Sequence, residues 1–239
     1  MLLNLAKHPL NQPGPVLRTR GESIKILTLI RKQITGKTTL GKIGEQESSS
    51  PFRVLISTIL SARTKDPVTE GASERLFARY PDSKSLSNAD PAVIAGIIRP
   101  VLYHNTKGRR VVEAAKMIEE RFSGRVPSSF EDLESIPGVG RKTANCVLVY
   151  GFGAPAIPVD VHVHRVSNRI GLAHTKKEEE TEVELARLYD KKYWLDINEL
   201  FVRFGQTICK PIGPLCDRCK VNRYCHYYRF ERKAKATQS

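Results

Sequence analysis

Four of the chain's five cysteines fall in one short stretch, "CKPIGPLCDRCKVNRYC", residues 209–225. Cys209, Cys216, Cys219 and Cys225 are separated by six, two and five residues, close enough for one compact soft centre to gather all the thiolates. Pro211, Gly213 and Pro214 lie between the first two and force the chain to turn where a helix would otherwise continue. The end of the fold is therefore a loop wrapped around a point. The opening "MLLNLAKHPLNQPGPVLRTR" lacks the continuous apolar core of a signal peptide. The longest apolar run, "CVLVYGFGAPAIPV", is broken by Gly and Pro short of membrane length. The expected setting is the cytoplasm, beside the nucleoid, in a prokaryote, or the nucleus or mitochondrion in a eukaryote. Thiols there stay reduced, and clustered cysteines hold metal rather than disulfides. Spacing alone leaves zinc and an iron–sulfur cluster open. The single Cys-x2-Cys knuckle suits zinc, and four cysteines with unequal loops also suit a cluster. Cys146 sits on an apolar helical face and reads as a core thiol.

The remaining pattern is helical, with no convincing strand. In "SIKILTLIRKQI", residues 23–34, the apolar side chains share one face. Pro51 opens "FRVLISTILSA", with a broad apolar stripe through Phe52, Leu55, Ile56, Ile59 and Leu60. Asp66 is the expected N-cap of the next helix, with Pro67 in its first turn, and "PDS" is expected to end it. Asn88 or Asp90 starts "AVIAGIIR"; "TKGRRVVEAAKMIEERF" turns Val111, Ala114, Ala115 and Ile118 inward behind a basic front end; Ser128 or Ser129 caps "FEDLES". "VHVHRV" alternates as a strand would, yet it lies between the cap signal of Asp160 and Gly171 and is expected to be helix.

Charge points to the partner. Lys and Arg number 39 against 25 Asp and Glu, a net charge of +14 over 239 residues. Such an excess favours a polyanion, because each phosphate neutralised releases condensed counterions. "LESIPGVGRKTANCVL" reads as helix, tight turn, helix. Gly138 and Gly140 permit positive φ and close approach of another backbone, and the exposed amides around Val139 at the start of the second helix form a small anion nest fit for a DNA phosphate. Arg141 and Lys142 then occupy a first turn where cations oppose the helix dipole at about 0.3–1 kcal/mol each, a conflict that a bound anion removes. The same field is expected to lower the pKa of Lys142 and free its amine to attack. Asp160, at the end of "AIPV", is an N-cap by position and a carboxylate able to face a cationic transition state.

Together, "LESIPGVGRKTANCVL", "AIPVDVHVHRVSNR" and the Cys-x6-Cys-x2-Cys-x5-Cys tail resemble endonuclease III, of the helix–hairpin–helix DNA glycosylase superfamily, from about residue 21 to 228. The 18-residue step from Lys142 to Asp160 matches that family too. The resemblance implies an all-α fold of two helical lobes. A six-helix barrel carrying the helix–hairpin–helix would come from residues 44–154. A lobe holding a 4Fe–4S cluster on the four cysteines would come from 21–43 plus 155–239, after a flexible arm over 1–20. Duplex DNA with damaged bases or abasic sites would lie in the cleft between lobes, bound by a monomer with no membrane association.

The implied activity is removal of oxidised pyrimidines followed by β-elimination at the exposed sugar, with Lys142 as nucleophile and Asp160 beside it. Lysine at this position distinguishes such an enzyme from the mismatch-adenine branch. Gly138, Val139, Gly140 and Arg141 would hold DNA, and His162 would stand behind the catalytic pair. Arg63 departs from the family, which has glutamine there. It is expected to fill the gap left by the flipped base, by stacking or by bidentate contact to an opposing guanine, and to bias the opposing base. Leu102 or Tyr103 would supply a second wedge. A mismatch thymine or uracil glycosylase without the lyase step, and a non-catalytic DNA-binding module, are the alternatives.

Overall fold

The computed structural model describes residues 18–38, 40–42 and 50–232. The expected arm lies outside them up to residue 17, as do the start of the expected barrel segment at 44–49 and the tail from 233. Among the described residues every regular element is helical. The first helix, α1 (Arg20–Arg31), starts at Thr19 through a capping box with Glu22, in which the two residues satisfy each other's orphan amides.

α2 (Pro51–Ser61) and α3 (Asp66–Arg79) follow, joined by a tight turn. Lys65, not Asp66, is the N-cap of α3. Asp66 is the first helical residue and its Oδ2 instead accepts from Gln206 Nε2 at 3.4 Å. The "PDS" stop also begins an unexpected short helix, α4 (Ser83–Ser87), whose cap Asp82 bonds the Ser85 amide at 2.7 Å. Asp90 caps α5 (Pro91–Ile97) and Ser129 caps α7 (Phe130–Ser135). Between these runs the long α6 (His104–Phe122), whose Val111, Ala114, Ala115 and Ile118 are fully buried. α8 (Arg141–Phe152) packs on α2, while α4 and α5 both pack on α6.

Two hydrophobic cores result. One gathers Leu55, Ile59, Leu76, Val111, Ile118 and Val147 from α2 to α8. The other joins Ile26 and Ile30 of α1 to residues from 157 onward, including Val163, Val166, Phe201, Phe204 and Val221. It is built from α9 (Val161–Ile170), α10 (Glu178–Leu188) and α11 (Trp194–Thr207), with α11 packed between α1 and α9. Polar contacts join the two cores: Tyr150 on α8 donates to Asn198 Oδ1 on α11 at 2.7 Å, and Asn198 Nδ2 donates to the Pro158 carbonyl at 2.7 Å.

Candidate active site and neighbouring turns

A cleft of about 1030 Å³ collects side chains from α2, α3 and α8 on one hand and from α9, α10 and α11 on the other, Arg63, Asp66, Arg141, Lys142, Asp160 and His162 among its lining. Lys142 stands in the first turn of α8 and Asp160 is the N-cap of α9, so two helix N-termini bring an amine and a carboxylate to one wall. Asp160 Oδ1 accepts from the amides of His162 and Val163 at 2.8 and 2.9 Å. One oxygen therefore fixes the carboxylate, and Oδ2 is the one left for chemistry.

Lys142 departs from its expectation. Burial works to lower its pKa, but Cys146, which also hydrogen-bonds the amine, and then Asp160 and Asp66 turn the net shift upward. The Cys146 thiol is itself pushed up by burial. The direction is therefore upward, opposite to the one expected from the helix end, with Cys146 and then the Asp160 and Asp66 carboxylates acting against burial. Cys146 is a core residue as expected, fully buried, and it touches the lysine as well.

Around this pair, His162 Nδ1 lies 3.1 Å from Arg165 Nη2. Arginine can only donate, so the ring nitrogen accepts. Burial lowers the imidazole's pKa, which leaves it neutral at physiological pH. The cation in the first turn of α8 finds its anion within the protein: Arg141 Nε and Nη2 bind the Glu182 carboxylate at 2.9 and 3.0 Å, with the guanidinium over the Phe130 ring. Asp66 and Glu182 line the cleft and were missed as site residues. For Asp66 the signal was its position three residues after Arg63.

The hairpin lies outside the cleft wall. Ile136, Pro137, Gly138 and Val139 form a turn closed by Val139 N–H to the Ile136 carbonyl at 3.0 Å, with Gly138 at φ +84°. Gly140 has φ −109°, and a Cβ there would meet nothing, so its expected left-handed backbone is absent and its openness remains. The side chain of Val139 is buried in the first core, leaving only its main chain for a ligand.

Arg63 and Tyr103 occupy turns of the same build. Thr64 N–H reaches the Ser61 carbonyl at 2.9 Å with Arg63 at φ +55°, and His104 N–H reaches the Val101 carbonyl at 3.1 Å with Tyr103 at φ +60°. Leu102 is 47% exposed and Tyr103 57%, so neither is a core residue.

The four clustered cysteines line a single apolar cavity with Ile170, Phe204, Ile208 and Val221. Arg169 Nη1 donates to Cys209 Sγ at 3.7 Å, and the amides of Val221 and Asn222 donate to Cys219. Burial pushes the Cys219 and Cys225 thiols up to about 11 and about 12. Free thiols here stay protonated, and only a strongly positive centre would hold them as thiolates. The donor set and its N–H bonds fit a soft metal centre. Among the described residues no three metal-ligating side chains converge tightly enough for a single ion.

Comparison with known proteins agrees with this arrangement. Residues 56–191 match the HhH-GPD superfamily base excision DNA repair protein family. The chain is 46% identical over 183 residues to endonuclease III of Thermotoga maritima, covering 77% of this chain and 86% of that one. It is 36% identical to endonuclease III-like protein 1 of Bos taurus over 185 residues, 74% of this chain and 61% of the bovine protein. A solved endonuclease III trapped as a covalent intermediate with DNA superposes with a TM-score of 0.78 at 27% identity, over 93% of this chain and all of that one. An all-helical fold, an amine and a carboxylate on one cleft wall, a glycine hairpin and a four-cysteine pocket thus coincide with a match across the greater part of the sequence: the chain belongs to the endonuclease III family of HhH-GPD base-excision DNA repair proteins.

Proposed function

We propose that this chain excises oxidised pyrimidines from duplex DNA and then cleaves the strand 3′ to the exposed sugar. The observation that carries the reading is the placing of Lys142 and Asp160, each at a helix N-terminus, in one cleft lined by residues of α2, α3 and α8 together with α9, α10 and α11. The target nucleotide must leave the stack to enter it. Lys142 must attack as a free amine, and any proton it carries passes first to Asp160. Its Nζ then bonds C1′ as the C1′–N bond breaks, and the electron pair leaves with the base. Opening of the sugar ring gives an imine. Loss of the C2′ proton sends electrons into that imine, and the C3′–O bond breaks to release the 3′ phosphate. Water then hydrolyses the imine and frees the lysine. Asp160, anchored through Oδ1, hands that proton on to the departing base and, again a carboxylate, stabilises the sugar cation.

The two cores read as two lobes with the duplex across the cleft between them. Cys209, Cys216, Cys219 and Cys225 would hold a 4Fe–4S cluster, as the family spacing supports. Neither reaction step changes oxidation state, so the cluster would supply no chemistry to them, and its part is to fix the 209–225 loop with Lys210, Arg218, Lys220 and Arg223 toward phosphates. The test is borohydride trapping on a duplex carrying an abasic site, beside duplexes carrying thymine glycol or a G·T mismatch. The wild-type protein is expected to be captured covalently and to cut the thymine glycol strand. Lys142→Gln should bind the duplex yet lose trapping and cleavage by at least about 1000-fold. Base release without trapping would instead indicate a glycosylase that lacks the lyase step.

A further inference from the structure

Lys107 is a buried lysine that the reaction does not use. It is 4% exposed, and a buried ammonium is costly unless every proton is satisfied. Its Nζ donates to the Leu60 carbonyl at 2.7 Å, the Ala62 carbonyl at 2.6 Å and Thr64 Oγ1 at 3.1 Å. All three acceptors lie at or just beyond the C-terminus of α2, where carbonyls lack helical partners and the dipole favours a cation. Lys107 is therefore a C-terminal cap supplied from another helix. Two of its acceptors flank Arg63, whose left-handed backbone is strained for a residue with a side chain. Its own amide bonds the carbonyl of Tyr103, the second left-handed residue, at 2.9 Å.

We propose that Lys107 is a positioning residue that ties the Arg63 turn to the Leu102–Tyr103 turn, so that the two side chains entering the duplex are set at one fixed separation. The inference rests on the DNA reading above for what the turns do. The tie itself stands on geometry. Arg110, one turn along α6, carries the aliphatic surface on which Gly138 of the hairpin rests, with its Cδ 3.2 Å from where a glycine Cβ would be. The first two turns of α6 thus position all three turns. Burial, then Arg110, lowers the Lys107 pKa to about 8, consistent with a cation held by neutral acceptors alone.

The test uses the full-length protein with Lys107→Met, which keeps the stem and removes the donors. Without DNA, trypsin should cut after Arg63 about 10-fold faster than in wild type, read by mass spectrometry of the fragments. With a duplex carrying 2-aminopurine opposite an abasic site, Kd should rise about 10-fold and the change in probe fluorescence on binding should shrink. Imine trapping on single-stranded abasic DNA, which has no partner strand to fill, should stay within about twofold of wild type. Wild-type cleavage after Arg63 together with wild-type Kd overturns the proposal. Faster cleavage in a protein whose wild type neither traps nor binds DNA keeps the tie and removes the DNA reading. If Lys107→Met does not fold, Thr64→Val removes a single acceptor, and a roughly threefold change in the same two readouts is expected. No change in either would overturn the tie just as firmly.

Discussion

The hairpin turn at residues 136–139 and the turns at 61–64 and 101–104 share a plan and differ in one residue. Each is closed by an amide-to-carbonyl bond three residues back and each places its third residue at positive φ, at +84°, +55° and +60°. The hairpin fills that position with Gly138, preceded by Pro137, as such a turn prefers. The other two fill it with Arg63 and Tyr103, where glycine would relieve strain. Where the backbone amides are to be the ligand, no side chain is present to obstruct them. Where a side chain must project, the fold carries left-handed strain to aim it, and such strain persists only when its surroundings over-determine it. The bonds from Lys107 beside both turns supply that determination.

Exchanging the residues should break the contrast, most severely at the hairpin. Gly138→Ala would combine about 1–2 kcal/mol of left-handed strain with a Cβ 3.2 Å from Arg110 Cδ. A fall in Tm of at least roughly 2–4 °C is expected, with weaker binding to every duplex regardless of sequence. If affinity drops for one sequence only, the amides are not holding phosphate.

The helices were legible because local signals agree. Asp160, Asp90 and Ser129 cap where cap chemistry places them, and "VHVHRV" is helix despite its alternation. That Lys142 and Asp160 share one cleft, and that the four cysteines share one cavity, was legible through motif spacing. What sequence could not convey was side-chain pairing across distance. Lys107 meets Leu60 across 47 positions, and Arg141 meets Glu182 across 41. Reading Arg141 as a cation awaiting an external anion missed Glu182, and reading Cys146 as a packing residue alone missed its contact with Lys142, the first of the groups, ahead of Asp160 and Asp66, that turn the lysine's shift upward. Asp66 was displaced by one position from its expected cap because Pro67 tolerates the second helical position as well as the first.

Arg63→Gly probes the opposite exchange. Relief of left-handed strain, about 1–2 kcal/mol, is offset by the greater unfolded-state entropy of glycine, about 0.5–1 kcal/mol. Stability should therefore stay level or rise by up to about 1.5 kcal/mol while base excision slows by about 10-fold or more. Arg63→Gln tests the specificity arm: the ratio of excision rates opposite G and A should change, and an unchanged ratio would remove the guanine contact. Tyr103→Gly should act in the same sense with a smaller loss, since Leu102 beside it stays exposed and can still enter the duplex. A melting curve and a single-turnover rate on each variant separate strain from function.

The smallest effect is expected at Gly140, and it isolates the amide argument most cleanly. The backbone there is extended, and an added Cβ touches nothing in the free protein, so Gly140→Ala carries no left-handed penalty. Loss of unfolded-state entropy would stabilise by about 0.4–1 kcal/mol, and alanine is a poorer N-cap than glycine by a similar amount. The melting temperature should thus stay nearly constant. The methyl would nevertheless stand beside the amides that open α8, in space left for a phosphate. Affinity should fall a few-fold for all duplexes, and the slope of log affinity against log salt should flatten by up to about 1, the signature of one lost phosphate contact. An unchanged salt slope at unchanged stability would show that the open space at Gly140 faces no phosphate, and the contrast between bare-backbone and side-chain turns would then rest on Gly138 alone.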